Sequence, residues 1–315
     1  MMVVSVVIPT YNSGKYLVKA LDSVFSQTFE NYEIIVVDDG STDNTRQIVQ
    51  GYGKRVRYFY QAQSGPSHAR NFGIRNAKGN LIAFLDADDV WMAEKLEKQV
   101  ELFKRDADLG MVFTEHSLFD ETGIYRREIN KKKLLNGNLA ANILLLSGVG
   151  TPTVMVKKSV FDEQGMFEEF MVYAEDDNLW IRIAANYPVR LIDEPLVLVR
   201  DHPCRLTRNK QDIFRNSLIN IQLLCSRYGS RVKKCVEPVV RKKKGLIYFD
   251  QGYYHYEMGS YLSALGAFFK ALKNNSHDYR IFLFIFLCLP PFPFLKSNSM
   301  VKKLKQDFRF FEGRW

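Results

Sequence analysis

At 315 residues, with 46% apolar and 25% charged side chains, the chain has the composition of a folded protein and room for one large α/β domain plus a smaller appendage. Residues 1–210 hold 26 basic and 28 acidic side chains and residues 211–315 hold 18 and 7, so a near-neutral body carries a basic tail suited to a polyanion. No stretch reaches the roughly 20 apolar residues of a membrane-spanning helix, and Cys204, Cys225, Cys235 and Cys288 lack zinc-like spacing, which leaves a reduced, cytoplasmic compartment as the expectation.

The N-terminus has no basic lead and runs straight into Val3–Ile8, a β-branched stretch that reads as a buried first strand rather than a signal peptide. Leu17–Gln27 sets Leu17, Ala20, Leu21, Val24 and Phe25 at helical spacing. A second buried strand is predicted at Glu33–Val37, a short helix at Thr45–Tyr52 and a strand at Val56–Tyr60. Ser67 is placed to cap a helix from His68 to Ala77 that Gly79 ends, and Leu81–Leu85 is another apolar strand. This βαβαβ order predicts a parallel, doubly wound sheet, with ligands beyond the carboxyl ends of its strands. Further on come a helix at Ala93–Lys104, a strand near Met111–Thr114, a polar loop at Lys131–Lys133 and a small-residue turn at Ser147–Gly150. Thr153–Val156 is strand-like and Asn178–Ala185 helical. From Asp212 the pattern is helical throughout. Gly259–Ala271 resembles half of a tetratricopeptide hairpin, but in a single copy, so a packed helical hairpin is expected.

Unusual polar residues gather at the predicted strand ends. Phe84-Leu85-Asp86-Ala87-Asp88-Asp89 closes a buried strand with three carboxylates, and strand periodicity puts Asp86 and Asp88 on one face. Carboxylates that close repel unless they share a cation. Mg²⁺ or Mn²⁺ would keep most of its coordination shell for waters and phosphate oxygens. The plainer alternative is a solvated loop or a cap for the next helix. At the end of the second strand stands Val36-Val37-Asp38-Asp39-Gly40-Ser41-Thr42-Asp43. Ser41 and Asp43 read as caps for the helix that follows. Asp38 and Asp39 precede the Gly40 turn, and capping does not explain them.

Ser5–Asn12, Val37–Asp43, Gly65–Asn71 and Phe84–Asp89 resemble, in order and spacing, the family-2 glycosyltransferases of GT-A fold. Gly165–Glu169 and Glu175–Arg182 continue the resemblance, which covers residues 3–208. It implies an α/β fold, a doubly wound and mostly parallel sheet with helices on both faces, followed here by an all-helical extension. It also implies an inverting enzyme that moves a sugar from a nucleotide diphosphate sugar, UDP-linked, to a hydroxyl of a glycan or glycolipid acceptor. At the matching positions Pro9 and Tyr11 would line the base pocket, Asp39 would read base and ribose, and Arg70 would lie near the nucleotide. Asp86 and Asp88 would hold a divalent metal (Mg²⁺ or Mn²⁺) on the nucleotide's diphosphate, and Asp176 would be the catalytic base. Val199–His202 resembles the family's late Arg-x-His, which brings His202 toward the metal or diphosphate. Asp177 and Asn178 stand where many relatives carry an aromatic residue and then an acid, which leaves Asp177 as the alternative base. General chemistry asks for the same parts. The leaving diphosphate must be neutralised, the acceptor hydroxyl must lose a proton, and the positive end of a helix starting near Asp176 favours its ionised form.

Ile281–Leu295 is uncharged, aromatic-rich and broken by Pro290, Pro291 and Pro293. It is too short to span a bilayer and too apolar to face water. With Lys296, Lys302, Lys303, Lys305, Arg309 and Arg314 behind it, it has the composition of an interfacial anchor on an anionic membrane surface. The plainer alternative is a core helix with a solvated basic end. The expected organisation is a catalytic domain at 1–210 and a basic helical extension at 211–315 whose membrane-associating segment is 281–295, peripheral on the inner face of the cell membrane. No nucleic-acid recognition module accompanies the basic tail. A dinucleotide dehydrogenase is disfavoured, since no Gly-x-Gly-x-x-Gly follows the first strand, and a processive synthase would need spanning helices. A nucleotide-sugar-binding scaffold without catalysis is the remaining alternative, and Asp86, Asp88 and Asp176 stand against it.

Overall fold

The computed structural model describes residues 2–125, 132–202, 210–275 and 278–289. In chain order these form β1 (Val4–Thr10), α1 (Leu17–Phe25), β2 (Tyr32–Asp38), α2 (Thr45–Gly51), β3 (Val56–Tyr60), α3 (Pro66–Asn76), β4 (Leu81–Phe84), β5 (Val90–Trp91) and α4 (Lys95–Arg105). There follow β6 (Met111–Asp120), β7 (Gly123–Tyr125), α5 (Lys132–Leu135), α6 (Leu139–Leu146), β8 (Met155–Lys157), α7 (Lys158–Gln164), α8 (Glu175–Asn186) and β9 (Val189–Arg200). Four helices complete the order: α9 (Lys210–Ser226), α10 (Gly229–Glu257), α11 (Tyr261–Asn274) and α12 (Tyr279–Leu287). Lys131, Cys204 and the run from Pro290 onward with its basic residues lie outside the described residues. Two compact units divide the chain, Met1–Ala140 with Gly148–Arg205, and Ala141–Ser147 with Leu206–Trp315.

The first unit is built on one mixed sheet in the order β3-β2-β1-β4-β8-β6-β9-β5, with β7 beside β6. Its N-terminal half is parallel, as the βαβαβ pattern predicts, with β1 between β2 and β4 and β3 outside β2. Beyond β4 the directions mix: β8 runs antiparallel to both β4 and β6, while β9 runs parallel to β6. Alternation along β1 sends Val4, Val6 and Ile8 into a core shared with Leu17, Leu21 and Val24 of α1 and Leu96, Val100 and Phe103 of α4. The opposite face takes α3. There Gly73 allows close approach, since a Cβ at that position would lie 2.3 Å from Val7 Cγ1. On the same side Phe84 meets Phe161, Phe167 and Trp180 in tilted and edge-to-face contacts at 5.5–6.3 Å between centroids.

Helix α3 starts earlier than the sequence predicts. Gly65 takes φ +98° and Pro66 occupies the first helical turn, where its missing N–H costs nothing. Ser67 is therefore inside the helix, buried, with its hydroxyl 3.5 Å from the Met171 carbonyl, and is not the cap. The helix ends at Asn76, and Gly79 instead abuts β1, donating its N–H to Ser5 Oγ at 2.8 Å. Strand β9 carries no prediction, because Asp193-Glu194-Pro195 interrupts its apolar alternation. In the sheet that interruption is taken up as an irregularity opposite Thr114–His116 of β6.

In the second unit, Phe249 and Tyr256 of α10, Ala264, Phe268 and Ala271 of α11, and Ile281, Phe284 and Leu287 of α12 form one buried cluster. The described part of the apolar run is thus a core helix on one side. On its other side Tyr279, Phe282, Phe286 and Leu289 recur at helical spacing and, among the described residues, are 73, 54, 51 and 44% exposed. Among the described residues no helix is long and apolar enough to cross a membrane.

Candidate active site

The carboxyl ends of the parallel strands bring most of the predicted residues to one edge of the sheet. Pro9 pairs with Val37 and Thr10 with Asp38, and the Asp39 N–H donates to the Thr10 carbonyl at 2.8 Å. Tyr11 follows with its ring about half exposed. The two adjacent acids divide their work. Asp38 is spent on structure, accepting from Ser41 N at 2.8 Å and from the Tyr58 hydroxyl at 2.7 Å. Burial first, and then that bond, push the Tyr58 phenol well up. Asp39 gathers the loop before α3, accepting at Oδ1 from Gln61 Nε2 at 2.7 Å and Ser64 N at 2.8 Å, and at Oδ2 from Gly65 N at 2.8 Å. A carboxylate has about four acceptor positions, and among the described residues Asp39 uses three of them. Asn44, not Asp43, is the cap residue of α2; Asp43, one position before it, accepts from Thr45 N at 3.0 Å, and Ser41 Oγ accepts from Asn12 N at 2.9 Å and is not a cap.

Asp86 and Asp88 do not share a strand face. Strand β4 stops at Phe84, and residues 86–89 form a turn closed by Asp89 N and the Asp86 carbonyl at 3.1 Å. The turn sends the two carboxylates to different partners. Asp86 Oδ1 receives Arg70 at 3.0 Å, and Asp88 Oδ2 lies 2.8 Å from His202 Nε2. Arg200 places His202 there. Its N–H donates to the buried Asp89 at 2.9 Å, its Nε donates to the Asp88 carbonyl at 3.0 Å, and its guanidinium lies between the rings of Tyr16 and Phe119 at 4.8 and 4.2 Å. The Tyr16 ring then contacts that of His202 at 5.4 Å.

Arg70 joins this turn to α8. Held on α3 by the close packing at Gly73, its buried guanidinium gives one nitrogen to Asp86 and another to Glu175 Oε1, each at 3.0 Å, and its Nε has no partner. Removing one member of such a buried ionic set typically costs about 3–5 kcal/mol, because the others are left uncompensated. Helix α8 begins at Glu175 after Ala174, a non-glycine residue in the left-handed region at φ +60°. Trp180, fully buried, stands one turn beyond Asp176 on the same helical face and anchors that face against Phe84 and Phe167. Asp176 keeps a partly exposed edge. Its Oδ1 accepts from Asp177 N at 2.7 Å and its Oδ2 from Thr151 Oγ1 at 3.2 Å. Burial raises the Asp176 carboxyl above the usual aspartate range, against the lowering by those bonds and by Arg70. Burial and the neighbouring Asp176 together push Glu175 up to about 8.

Among the described residues no three His, Cys, Asp or Glu side chains come together as a metal cage. The strand ends offer the Asp88–His202 pair, with Asp86 in the same turn but turned to Arg70, each of the two carboxylates about 30% exposed. That donor set fits a hard divalent ion arriving with a diphosphate, because such ions commonly bind through one or two carboxylates and take the rest of their shell from phosphate and water. Thr151, Glu175, Asp89 and Tyr16 were not predicted for the site. Glu175 and Asp89 sit inside the acidic motifs, but nothing in the sequence around Thr151 or Tyr16 marks either one.

A sheet half parallel and half mixed, helices on both faces, and carboxylates at the strand ends define the GT-A class of glycosyltransferase folds. The family description Glycosyl transferase family 2 matches residues 5–164, and the chain belongs to that family. It is 35% identical over 220 residues to an uncharacterized glycosyltransferase of Rickettsia bellii, covering 69% of this chain and 31% of that one. Across the first such relatives the chain spans about a third to two-thirds of their length. It is 29% identical over 192 residues to the Escherichia coli UDP-Glc:alpha-D-GlcNAc-diphosphoundecaprenol beta-1,3-glucosyltransferase WfgD, covering 60% of this chain and 73% of WfgD. The crystal structure of S. aureus TarS 1–349 in complex with UDP-GlcNAc superposes with a TM-score of 0.67 at 19% identity, over 90% of this chain and 84% of that one.

Proposed function

We propose that the first unit is the catalytic domain of an inverting glycosyltransferase that moves one sugar from a UDP-sugar to a hydroxyl of a lipid-linked glycan. One observation carries this reading. Arg70 ties the Asp86–Asp89 turn and the start of α8 into a single buried cluster, so a diphosphate-binding turn and a general base are held in fixed relation. The half-exposed Tyr11 ring and Pro9 give a surface for the base, and the remaining acceptor position of Asp39 suits a base N–H or a ribose hydroxyl. Asp88 and His202, with Asp86, would hold a divalent metal, which when bound neutralises charge on the leaving diphosphate. Asp176 takes the proton of the acceptor hydroxyl. The acceptor oxygen bonds to the anomeric carbon from the face opposite the diphosphate, and the carbon–oxygen bond to the diphosphate breaks with its electron pair on UDP. The named activity of WfgD supports both the UDP-linked donor and the lipid-linked acceptor. The test is UDP release from a panel of UDP-sugars with Mn²⁺ and a polyprenyl-diphosphate-linked sugar. One donor should give acceptor-dependent release. Binding without release from any donor would favour the scaffold alternative.

The second unit places the enzyme at an anionic membrane surface without crossing it. Phe282 and Phe286 of α12, and Leu289 just after it, are exposed among the described residues, and six basic residues follow in the sequence from Lys296 to Arg314. Apolar insertion and basic attraction are two weak signals that together suffice for anchoring, the second at about 1 kcal/mol per basic residue. Co-sedimentation checks this with the full chain and a Phe282→Ser/Phe286→Ser variant. The wild type should pellet with phosphatidylglycerol-containing vesicles, less so at high salt, and the folded variant should stay in the supernatant. Equal pelleting of both would remove the anchor.

A further inference from the structure

We propose that Thr151 is a positioning residue for the base, its hydroxyl fixing the Asp176 carboxylate for proton uptake; this rests on Asp176 being that base. Thr151 opens a short 3₁₀ turn, Thr151–Thr153, just before β8, and it is buried. Asp176 has one hydrogen bond at each oxygen, and the two differ in origin. The bond from Asp177 N belongs to α8 itself and moves with the helix. The bond from Thr151 Oγ1 comes from a different element and ties the carboxylate to the sheet.

The turn that carries Thr151 is unusually well held. The Trp91 indole N–H donates to the Pro152 carbonyl at 2.9 Å, and Gln99 Nε2 donates to the Thr153 carbonyl at 3.0 Å. Thr153 Oγ1 closes the turn on the Gly150 carbonyl at 2.7 Å. Behind them Lys95, with no exposed surface, donates to Gln99 Oε1 at 2.8 Å and lies over the Trp91 ring at 3.9 Å. Burying a lysine whose side-chain nitrogen, among the described residues, donates to an amide oxygen rather than to a carboxylate is expensive. Here that lysine fixes the amide of Gln99, and Gln99 fixes the turn. The chain Lys95–Gln99–Thr153 therefore holds the turn whose first residue, two positions before Thr153, carries the hydroxyl that meets the base.

The chemistry calls for such an anchor. A general base must hold its accepting lone pair within about half an ångström of the productive position. A carboxylate fixed only by its own helix can rotate about χ2. Held at Oδ2 by Thr151, Asp176 keeps a lone pair on its partly exposed edge for the acceptor proton. The Thr151 hydroxyl can donate to Oδ2 before and after that proton arrives, so the bond need not break during the step.

The experiment compares Thr151→Val, Thr151→Ser, Asp176→Asn and the double variant Thr151→Val/Asp176→Asn in steady-state transfer. Valine keeps the shape and removes the donor, whereas serine keeps the donor. The expected result is a fall in kcat of about 10–100-fold for Thr151→Val, the range typical of groups that orient a reacting residue, with the donor KM and the melting temperature little changed. Thr151→Ser should regain most of the rate. In the Asp176→Asn background Thr151→Val should add nothing, because the group it orients is gone. A normal kcat for Thr151→Val, equal losses for valine and serine, or additive losses in the double variant would overturn the inference while leaving the base in place. Wild-type turnover by Asp176→Asn alone would overturn the base assignment, and the role of Thr151 with it.

Discussion

Asp176→Asn should fold, bind the sugar nucleotide and lose about 10²–10⁴-fold of its transfer rate, the usual contribution of a general base. Folding should survive for a physical reason. Burial already disfavours the charge on Asp176, so an uncharged isostere relieves a penalty, and its amide oxygen can still accept from Asp177 N. Donor affinity should survive as well, because the residues proposed for the nucleotide lie at the ends of β1 and β2, on α3 and in the turn after β4. The rate should not survive, because an amide cannot take the acceptor proton; the loss corresponds to about 2.7–5.5 kcal/mol of activation free energy. A single-turnover assay with saturating donor reads this directly. The pH profile adds a signed check. The folded-state pKa is raised, so wild-type kcat/KM should fall with decreasing pH through a value above that of an ordinary aspartate. Near-normal turnover in Asp176→Asn combined with loss in Asp177→Asn would move the base by one residue.

Much of the first unit is legible in the sequence, for reasons that also explain the exceptions. Strands β1, β2 and β4 are covered on both faces, so their β-branched runs announce them without alternation. Strand β9 escapes, because a charged pair and a proline sit where its apolar rhythm should continue, and only the neighbouring β6 explains the break. The carboxylates at 86 and 88 are visible as a motif, yet strand periodicity misplaces them, since the chain has already left the sheet at Phe84. Arg70 is implied by resemblance, but its bond to Glu175 joins residues 105 positions apart. Thr151 leaves no local trace: Thr-Pro-Thr is ordinary turn composition, and its partner is brought in by α8. In the second unit, the apolar run after Arg280 reads as one block. Helical periodicity divides it into a buried row through Ile281, Phe284 and Leu287 and an exposed row through Phe282, Phe286 and Leu289.

The second large effect concerns Asp88. If Asp88 and His202 hold the ion that accompanies the diphosphate, metal and nucleotide affinities are linked, and each must strengthen the other by the same factor. His202 is bound to Asp88 and placed by Arg200, so Asp88→Ala removes one donor and leaves the other without its partner. Asp86 keeps its bond to Arg70, and the fold around α8 should persist. UDP without its sugar isolates this linkage from turnover. The most direct measurement is calorimetric titration of UDP into the wild type and Asp88→Ala, with and without Mn²⁺. The wild type should bind at least about tenfold tighter with Mn²⁺, a coupling of about 1.4 kcal/mol or more, and Asp88→Ala should show no Mn²⁺ effect. Equal wild-type affinity in both buffers, or an undiminished Mn²⁺ effect in Asp88→Ala, would contradict the linkage.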